Sequence, residues 1–167
     1  MTVLTTEHLF LAPLSLELVR KRLVSDSFSV ALPEIGSASF SPHWPGDALG
    51  MFTILASGTI DPIPYSYVAI ERDTLAAVGQ LGATSEVDAN GAIEIGYGFG
   101  VTGRGFATEA VEALVTLLLS SASIVAITAN TAVGNVASQR VLEKNGFRLT
   151  GKSSSEEDGD LLVWMRN

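Results

Sequence analysis

Cysteine is absent from the 167 residues. No disulfide, thiolate-bound zinc, iron–sulfur cluster or cysteine nucleophile can be built from this chain. Histidine occurs only as His8 and His43, too few for a multi-histidine metal centre, and no metal is expected. Positive charge is scarce as well: 10 Lys and Arg stand against 18 Asp and Glu, a formal charge of −8. A phosphate-backbone binder needs a basic footprint, so no direct nucleic-acid partner is expected. Charged residues of both signs make up only 17% against 47% hydrophobic, which excludes a disordered or collagen-like chain. No basic cluster precedes an apolar run near Met1, so no export signal is read and a cytoplasmic location is expected.

One long stretch without charge, Ala113 to Gln139, raises the question of a membrane span. It is broken by Ser120, Ser121, Ser123, Asn130, Gly134 and Asn135 and has no flanking basic cluster. It reads instead as a buried helix, a buried strand and a loop, with no membrane partner. The length fits a single domain over residues 1–167, large enough to bury a core without staples. A high apolar fraction on so small a chain is also compatible with a homodimer.

The charges are unevenly placed. Between Leu23 and Gly103 stand nine acids, Asp26, Glu34, Asp47, Asp61, Glu71, Asp73, Glu86, Asp88 and Glu94, with Arg72 as the sole base. From Arg104 to Lys152 five bases outnumber three acids. This asymmetry fits a two-faced site, one half for an anion and the other for a cation, or simply a solvated surface.

Periodicity predicts alternating elements. Leu9–Leu14 reads as a strand, and Ser15 caps a helix reaching about Asp26. Ser27–Pro45, rich in Ser and Pro, reads as irregular, and Asp47–Ala56 as helical. Strands follow at Tyr65–Glu71, Leu75–Ala83 and Ile93–Phe99; in the last, Ile93, Ile95 and Tyr97 share one face and Glu94, Gly96 and Gly98 the other. A helix from about Gly105 to Leu119, a strand at Ile124–Thr128 and a helix at Asn135–Asn145 ended by Gly146 come next. Phe147–Lys152 and Asp160–Met165 are the last strands. The pattern favours a mixed sheet with helices on both faces.

The run from Gly96 to Ala107 holds five glycines and joins a strand to a helix. Glycine lets backbone N–H groups converge on an anion, and the helix N-terminus adds partial positive charge. Arg104 can add a full one. Gly98, Gly100 and Gly103 match the dinucleotide pattern G-x-G-x-x-G, but no acid follows the next strand, which ends at Ala129-Asn130. The nucleoside-triphosphate motif G-x-x-x-x-G-K-[ST] is absent.

Three segments together resemble a known family: Glu94-Ile95-Gly96-Tyr97, Gly103-Arg104-Gly105-Phe106-Ala107-Thr108-Glu109-Ala110, and Asn135-Val136-Ala137-Ser138-Gln139-Arg140-Val141-Leu142-Glu143-Lys144-Asn145-Gly146-Phe147. They look like the GNAT superfamily of acetyl-CoA-dependent N-acetyltransferases, in particular the RimJ/RimL-type branch that acetylates ribosomal-protein N-termini. Thr6-Glu7-His8-Leu9 and Leu11-Ala12-Pro13-Leu14 resemble the usual start of that branch.

The resemblance implies an α/β (α+β) fold, a mixed, centrally splayed seven-stranded sheet flanked by helices, with acetyl-CoA as co-substrate lying in the splay. The diphosphate would sit on the backbone N–H groups of Gly103, Arg104, Gly105, Phe106 and Ala107, with Thr108 following. The pantetheine arm would pair with Phe99, Gly100 and Val101, one of whose N–H groups would serve the developing oxyanion. Asn135 would hold the pantetheine, although it is also a good N-cap. Arg140 and Lys144 would face phosphate or adenosine, or would simply suit a helix C-terminus, the surface reading being preferred for Lys144.

Direct acyl transfer needs a proton acceptor for the amine and an acid for the leaving thiolate. Glu94 is the candidate base, with a solvated strand carboxylate as the alternative. Ser138 is the candidate acid, since Leu142 stands where other members carry Tyr; it is equally a small residue in a first helical turn. Tyr97 reads as core or pocket wall, and Trp44, in His43-Trp44-Pro45, as acceptor wall or ordinary packing. The expected acceptor is an amine: a peptide N-terminus, or a small cation such as a polyamine, aminoglycoside or amino-acid derivative. A non-catalytic acyl-CoA-binding module is the alternative from another class.

Overall fold

The computed structural model describes residues 2–58, 64–156 and 159–167. The strands are β1 (Leu4–Thr5), β2 (Leu9–Pro13), β3 (Phe28–Leu32), β4 (Gly36–Phe40), β5 (Tyr67–Glu71), β6 (Ala77–Ala83), β7 (Ala92–Phe99), β8 (Ala126–Ala132), β9 (Arg148–Ser155) and β10 (Gly159–Arg166). The helices are α1 (Leu16–Val24), α2 (Leu49–Ser57), α3 (Phe106–Leu119) and α4 (Val136–Lys144), with a short 3₁₀ turn at Gly46–Ala48 leading into α2.

Local chemistry accounts for several boundaries. The Ser15 hydroxyl accepts from the Leu18 amide at 3.2 Å and starts α1 as expected. Gly146, at φ +75°, ends α4. There the Phe147 amide closes back on the Leu142 carbonyl and the Gly146 amide on Glu143, a left-handed glycine stop.

The main sheet runs β1-β2-β5-β6-β7-β8-β10-β9. Only β7–β8 is parallel; the other neighbours are antiparallel. The expected seven strands are those from β2 to β9 in this order, and the two-residue β1 adds an eighth at the edge. The segment expected to be irregular before Pro45 instead folds into a separate hairpin, β3 on β4. Its larger apolar residues alternate, Phe28, Val30 and Leu32 on one strand and Ala38 and Phe40 on the other, with Ser29, Ala31, Ser37 and Ser39 between them. The serines weakened the hydrophobic contrast without removing the period of two.

The sheet splits at its centre. The β7–β8 ladder covers Ala92–Ile95 against Ala126–Ala129 and then stops. Beyond it β7 stays with β6, pairing Tyr97 with Leu81 and Phe99 with Gly79. β8 stays with β10, pairing Thr131 with Leu162.

Two packed layers hold the sheet. β5 is buried on both faces. Val68 and Ile70 face one cluster with Leu18, Val19, Phe40, Trp44, Phe52 and Leu55, drawn from α1, α2 and the hairpin. Tyr67 and Ala69 face the other, filled by Ala110, Val111, Leu114 and Leu118 of α3. Burying each such Leu or Val contributes about 1.5–3 kcal/mol. α3 is thereby fixed under the sheet, with its N-terminus at the split. Among the described residues no helix is long and apolar enough to cross a membrane.

Candidate active site

The split exposes backbone. On β7 the even-numbered residues bond to β6: Thr84 N–H donates to the Glu94 carbonyl at 2.8 Å, and Gly100 N–H to the Val78 carbonyl at 3.0 Å. Alternation then turns the N–H and C=O groups of Tyr97 and Phe99 toward the opening, where β8 has departed. An extended ligand can pair there as an added strand. Of the three amides expected to face an oxyanion, that of Gly100 is committed to β6, while Phe99 lies on the open side.

A groove of 720 Å³ continues from this edge. Its lining includes Phe99, Gly100, Val101, Gly103, Gly105, Phe106, Ala107 and Thr108 on one side and Asn135, Ser138 and Arg140 on the other. Gly103 and Gly105 both have φ +77°, and a side chain at either would project into open space. Gly105 is the N-cap of α3, and no side chain caps that end. The first-turn amides therefore have no partner within the helix and stay available to an anion.

α4 forms the opposite wall. Asn135 caps it, its Oδ1 accepting from the Ser138 amide at 3.1 Å. The Ser138 carbonyl accepts the Tyr97 hydroxyl at 2.8 Å, which bridges the two walls. Burial pushes the Tyr97 phenol up to about 12, so it stays protonated. Asn145, 4% exposed, donates to the carbonyls of Thr108 and Val141 and fixes α4 against the first turn of α3. Arg140 and Lys144 line the groove, and neither pairs with a carboxylate among the described residues. Lys144, expected at the surface, is both exposed and on the rim.

Arg104 departs from expectation. Its guanidinium turns away from the groove, pairs with the buried Glu71 carboxylate and stacks 4.4 Å from the Phe106 ring. Only its backbone belongs to the turn. The Thr74 hydroxyl and then Arg104 hold the Glu71 carboxyl below its ordinary value. A second tether lies nearby: Glu109 of α3 accepts the His8 amide at 2.7 Å and its ring nitrogen at 2.9 Å. The bond to Glu109 raises the His8 pKa. These pairs clamp the start of β2 and the end of β5 to the Gly-rich turn.

A second cavity of 670 Å³ lies on the opposite face, between α1, α2 and the strands β6 and β7. It meets the groove at Pro45, Asp47, Tyr97 and Gly98, which border both. Gly96 and Gly98 form part of its floor, and a side chain at Gly98 would extend into open space.

Glu94 lies on this face but borders neither cavity. Its oxygens accept from the Thr84 hydroxyl at 2.8 Å and from the Asn130 amide at 2.9 Å, across the last rung of the β7–β8 ladder. Thr84 borders the cavity. Glu94 and Ser138 thus stand on opposite faces of β7, with no bond between them. Trp44, 3% exposed, packs edge-on against Phe40 and Phe52; it borders the groove and is not part of the acceptor-side lining.

Sequence reasoning did not single out Thr84, Asn130, Gln80 or Asp47. Their roles depend on strand register and on how α2 lies over the sheet, which no local pattern encodes. The acidic half contributes less field than its composition suggested. Glu71 and Asp26 are neutralised by Arg104 and Arg22, and Asp47 is the one acid bordering the second cavity among the described residues.

A family model described as an acetyltransferase (GNAT) domain matches residues 25–148. A curated Bacillus subtilis (strain 168) protein named uncharacterized N-acetyltransferase YjdG is 36% identical over 91 residues, 53% of this chain and 54% of that protein. The match thus spans about half the length of that relative. Among solved structures, an acetyltransferase (GNAT family) from Bacillus anthracis superposes with a TM-score of 0.67 at 18% identity, over 99% of this chain and 98% of that one. The ribosomal alpha-N-protein acetyltransferase RimL in complex with coenzyme A gives 0.65 at 18% identity, over 99% and 97%. At such identities the structural likeness speaks for the fold alone.

Proposed function

Since the chain belongs to the GNAT acetyltransferase family, we propose that it moves an acetyl group from acetyl-CoA to a primary amine by direct transfer. The observation that carries this reading is the meeting of two cavities at Tyr97 and Gly98, where the sheet opens. One cavity has the chemistry for an anionic, extended cofactor and the other admits an acceptor.

The groove fits the cofactor. Unobstructed glycines, free first-turn amides and the unpaired cations Arg140 and Lys144 suit a diphosphate and a further phosphate. Arg104 contributes its amide, and its side chain braces the turn through Glu71. The open edge at Tyr97 and Phe99 takes the pantetheine arm beside Asn135, and the Phe99 N–H faces the carbonyl oxygen that gains charge.

When bound, acetyl-CoA supplies the activated acyl carbon. The acceptor must first lose a proton, because an alkylammonium near ~10.4 is inert at neutral pH, whereas an α-amine near ~7.7–8.0 is partly neutral. Glu94 accepts that proton through the Thr84 hydroxyl, to which it is bonded, and through water in the acceptor cavity that Thr84 borders. The amine lone pair forms the C–N bond as the C–S bond breaks, and the second N–H proton leaves the new amide nitrogen to solvent. The thiolate leaves with a proton from Ser138, whose hydroxyl regains one from solvent. One acetyl group moves to the amine, the ammonium nitrogen gives up two protons in all, the thiolate takes one, and no electron is transferred.

Calorimetric titration with acetyl-CoA, with NADH as the control, tests the first half; micromolar binding of the former alone is expected. Release of free CoA on adding amines tests the second and separates an enzyme from a binding module. Failure to bind acetyl-CoA would overturn the reading.

A further inference from the structure

The cavity on the α2 side has a one-sided chemistry. Its walls are supplied by apolar residues such as Leu16, Val19, Phe52 and Leu55. α2 carries no charged residue along its whole length. A helix apolar all round is normally enclosed, yet Met51 and Ile54 are 41% and 45% exposed, and both border this cavity. The apolar surface therefore continues from the interior to the mouth.

Against it stand few polar groups. Asp47 is the one charged residue bordering the cavity among the described residues, and it sits where the cavity joins the cofactor groove. Gln80 borders the same cavity. It pairs with Val68 and Gly98, so its side chain lies on the α2 face, directly over the junction glycine. Its Oε1 is buried and accepts no hydrogen bond among the described residues, and a ligand reaches it once the Gln80 side chain turns toward the cavity that it borders. A buried carbonyl oxygen without a donor is costly to leave unmade and is met readily by an N–H donor from a ligand. Glu94, by contrast, is four residues along β7 from Gly98, about 13 Å away.

Resting on the transferase reading, we propose that the acceptor is a monoamine with an apolar body, its amino group held by Gln80 Oε1 and the Asp47 carboxylate and its body lodged against Met51, Ile54 and Leu55. One carboxylate matches one ammonium. A polyamine or aminoglycoside carries several, and each further charge would be driven into an apolar wall without a partner. The shared chemistry comes from two sources, a small apolar amine or a peptide N-terminus whose first residue is apolar.

The test is CoA release from acetyl-CoA with a fixed panel: 2-phenylethylamine, a peptide beginning with Leu, a peptide beginning with Asp, spermidine and kanamycin. At least a tenfold higher kcat/KM for phenylethylamine or the Leu peptide supports the class, and whichever leads identifies the source. Preference for spermidine, kanamycin or the Asp peptide overturns it. Asp47→Asn and Gln80→Leu are expected to raise the KM of the preferred amine at least tenfold, and in Gln80→Leu, whose site does not border the groove, the KM of acetyl-CoA stays within twofold; Gln80→Glu, which keeps an oxygen acceptor, restores most of the loss. Unchanged amine KM in both variants overturns the assignment. Met51→Lys changes an exposed site that folding tolerates, and it should selectively weaken the apolar amine. Acetyl-CoA binding is measured in parallel. Its absence would overturn the transferase reading itself, whereas binding without turnover of any apolar monoamine would overturn only the acceptor class.

Discussion

Tyr97 reaches from β7 across the mouth of the split sheet and donates its hydroxyl to the Ser138 carbonyl at 2.8 Å. The bond ties the strand that borders both cavities to the helix that walls the groove. Tyr97→Phe should remove about 0.5–1.5 kcal/mol, a fall in Tm of roughly 2–4 °C per kcal/mol for a chain of this size. Because burial holds the phenol up to about 12, its hydroxyl is a fixed neutral donor. The variant should therefore keep the shape of the pH–rate profile up to about pH 10 while the KM of acetyl-CoA rises. Loss of a basic limb below that pH would make Tyr97 an acid instead of a brace.

Gly103 and Gly105 share φ +77° with open space where a side chain would stand. Gly159, at φ +71°, has the same properties but opens β10, paired with Ser155, and does not border the groove. Changing any of the three to Ala costs about 1–2 kcal/mol of backbone strain. Only Gly103→Ala and Gly105→Ala should also weaken acetyl-CoA binding, by about tenfold or more, since a methyl group would stand between the ligand and the first-turn amides. Calorimetry of the three variants beside their thermal melts separates strain from ligand contact.

Glu71 makes the Gly-rich turn sensitive to acid. Its folded pKa lies below its ordinary value, through Thr74 first and Arg104 second. A depressed carboxylate stabilises the fold above its unfolded pKa, near ~4.3, and that contribution is lost as pH falls through the lower folded value. The Tm should therefore drop on acidification below about pH 4.5. In Arg104→Ala the Glu71 pKa returns toward normal, so the Tm is lower at neutral pH and its acid slope shallower. Melting curves between pH 7 and 3 read both. An equal slope in the two proteins would show that Arg104 does not act through Glu71.

The parts of this site that were legible in the sequence rest on local signals. Glycines demanding a left-handed backbone mark the turn from Gly103 to Gly105, and Asn135 marks a helix start whose side chain caps it. The direction of Arg104 was not legible, because its partner Glu71 lies on β5, far from the turn in sequence, and joins it only once β5 and α3 share the core. Gln80 was silent for a similar reason. A single glutamine in a strand gains meaning only when register sets it over Gly98. The hairpin β3–β4 was hidden by its own serines, and its aromatic faces show what they are for when Phe28, Phe40 and Trp44 stack beneath α2.

Glu94 acts at one remove, and that arrangement has a kinetic signature. Its carboxylate borders neither cavity, and its route to the acceptor runs through the Thr84 hydroxyl. Glu94→Gln should lower kcat by about 10²-fold, the lower end of what a positioned base supplies. Thr84→Val should do nearly the same while leaving the carboxylate in place. If the two residues form one relay, the double variant is no slower than the worse single one, since removing the second member of a broken chain costs nothing more. Independent roles would instead multiply the losses. The dissociation constant of acetyl-CoA should stay within twofold in all three, because neither residue borders the groove. A Glu94→Gln protein with undiminished kcat would move the proton acceptor elsewhere. Asp47, at the junction of the two cavities, would then be the remaining carboxylate bordering the acceptor among the described residues.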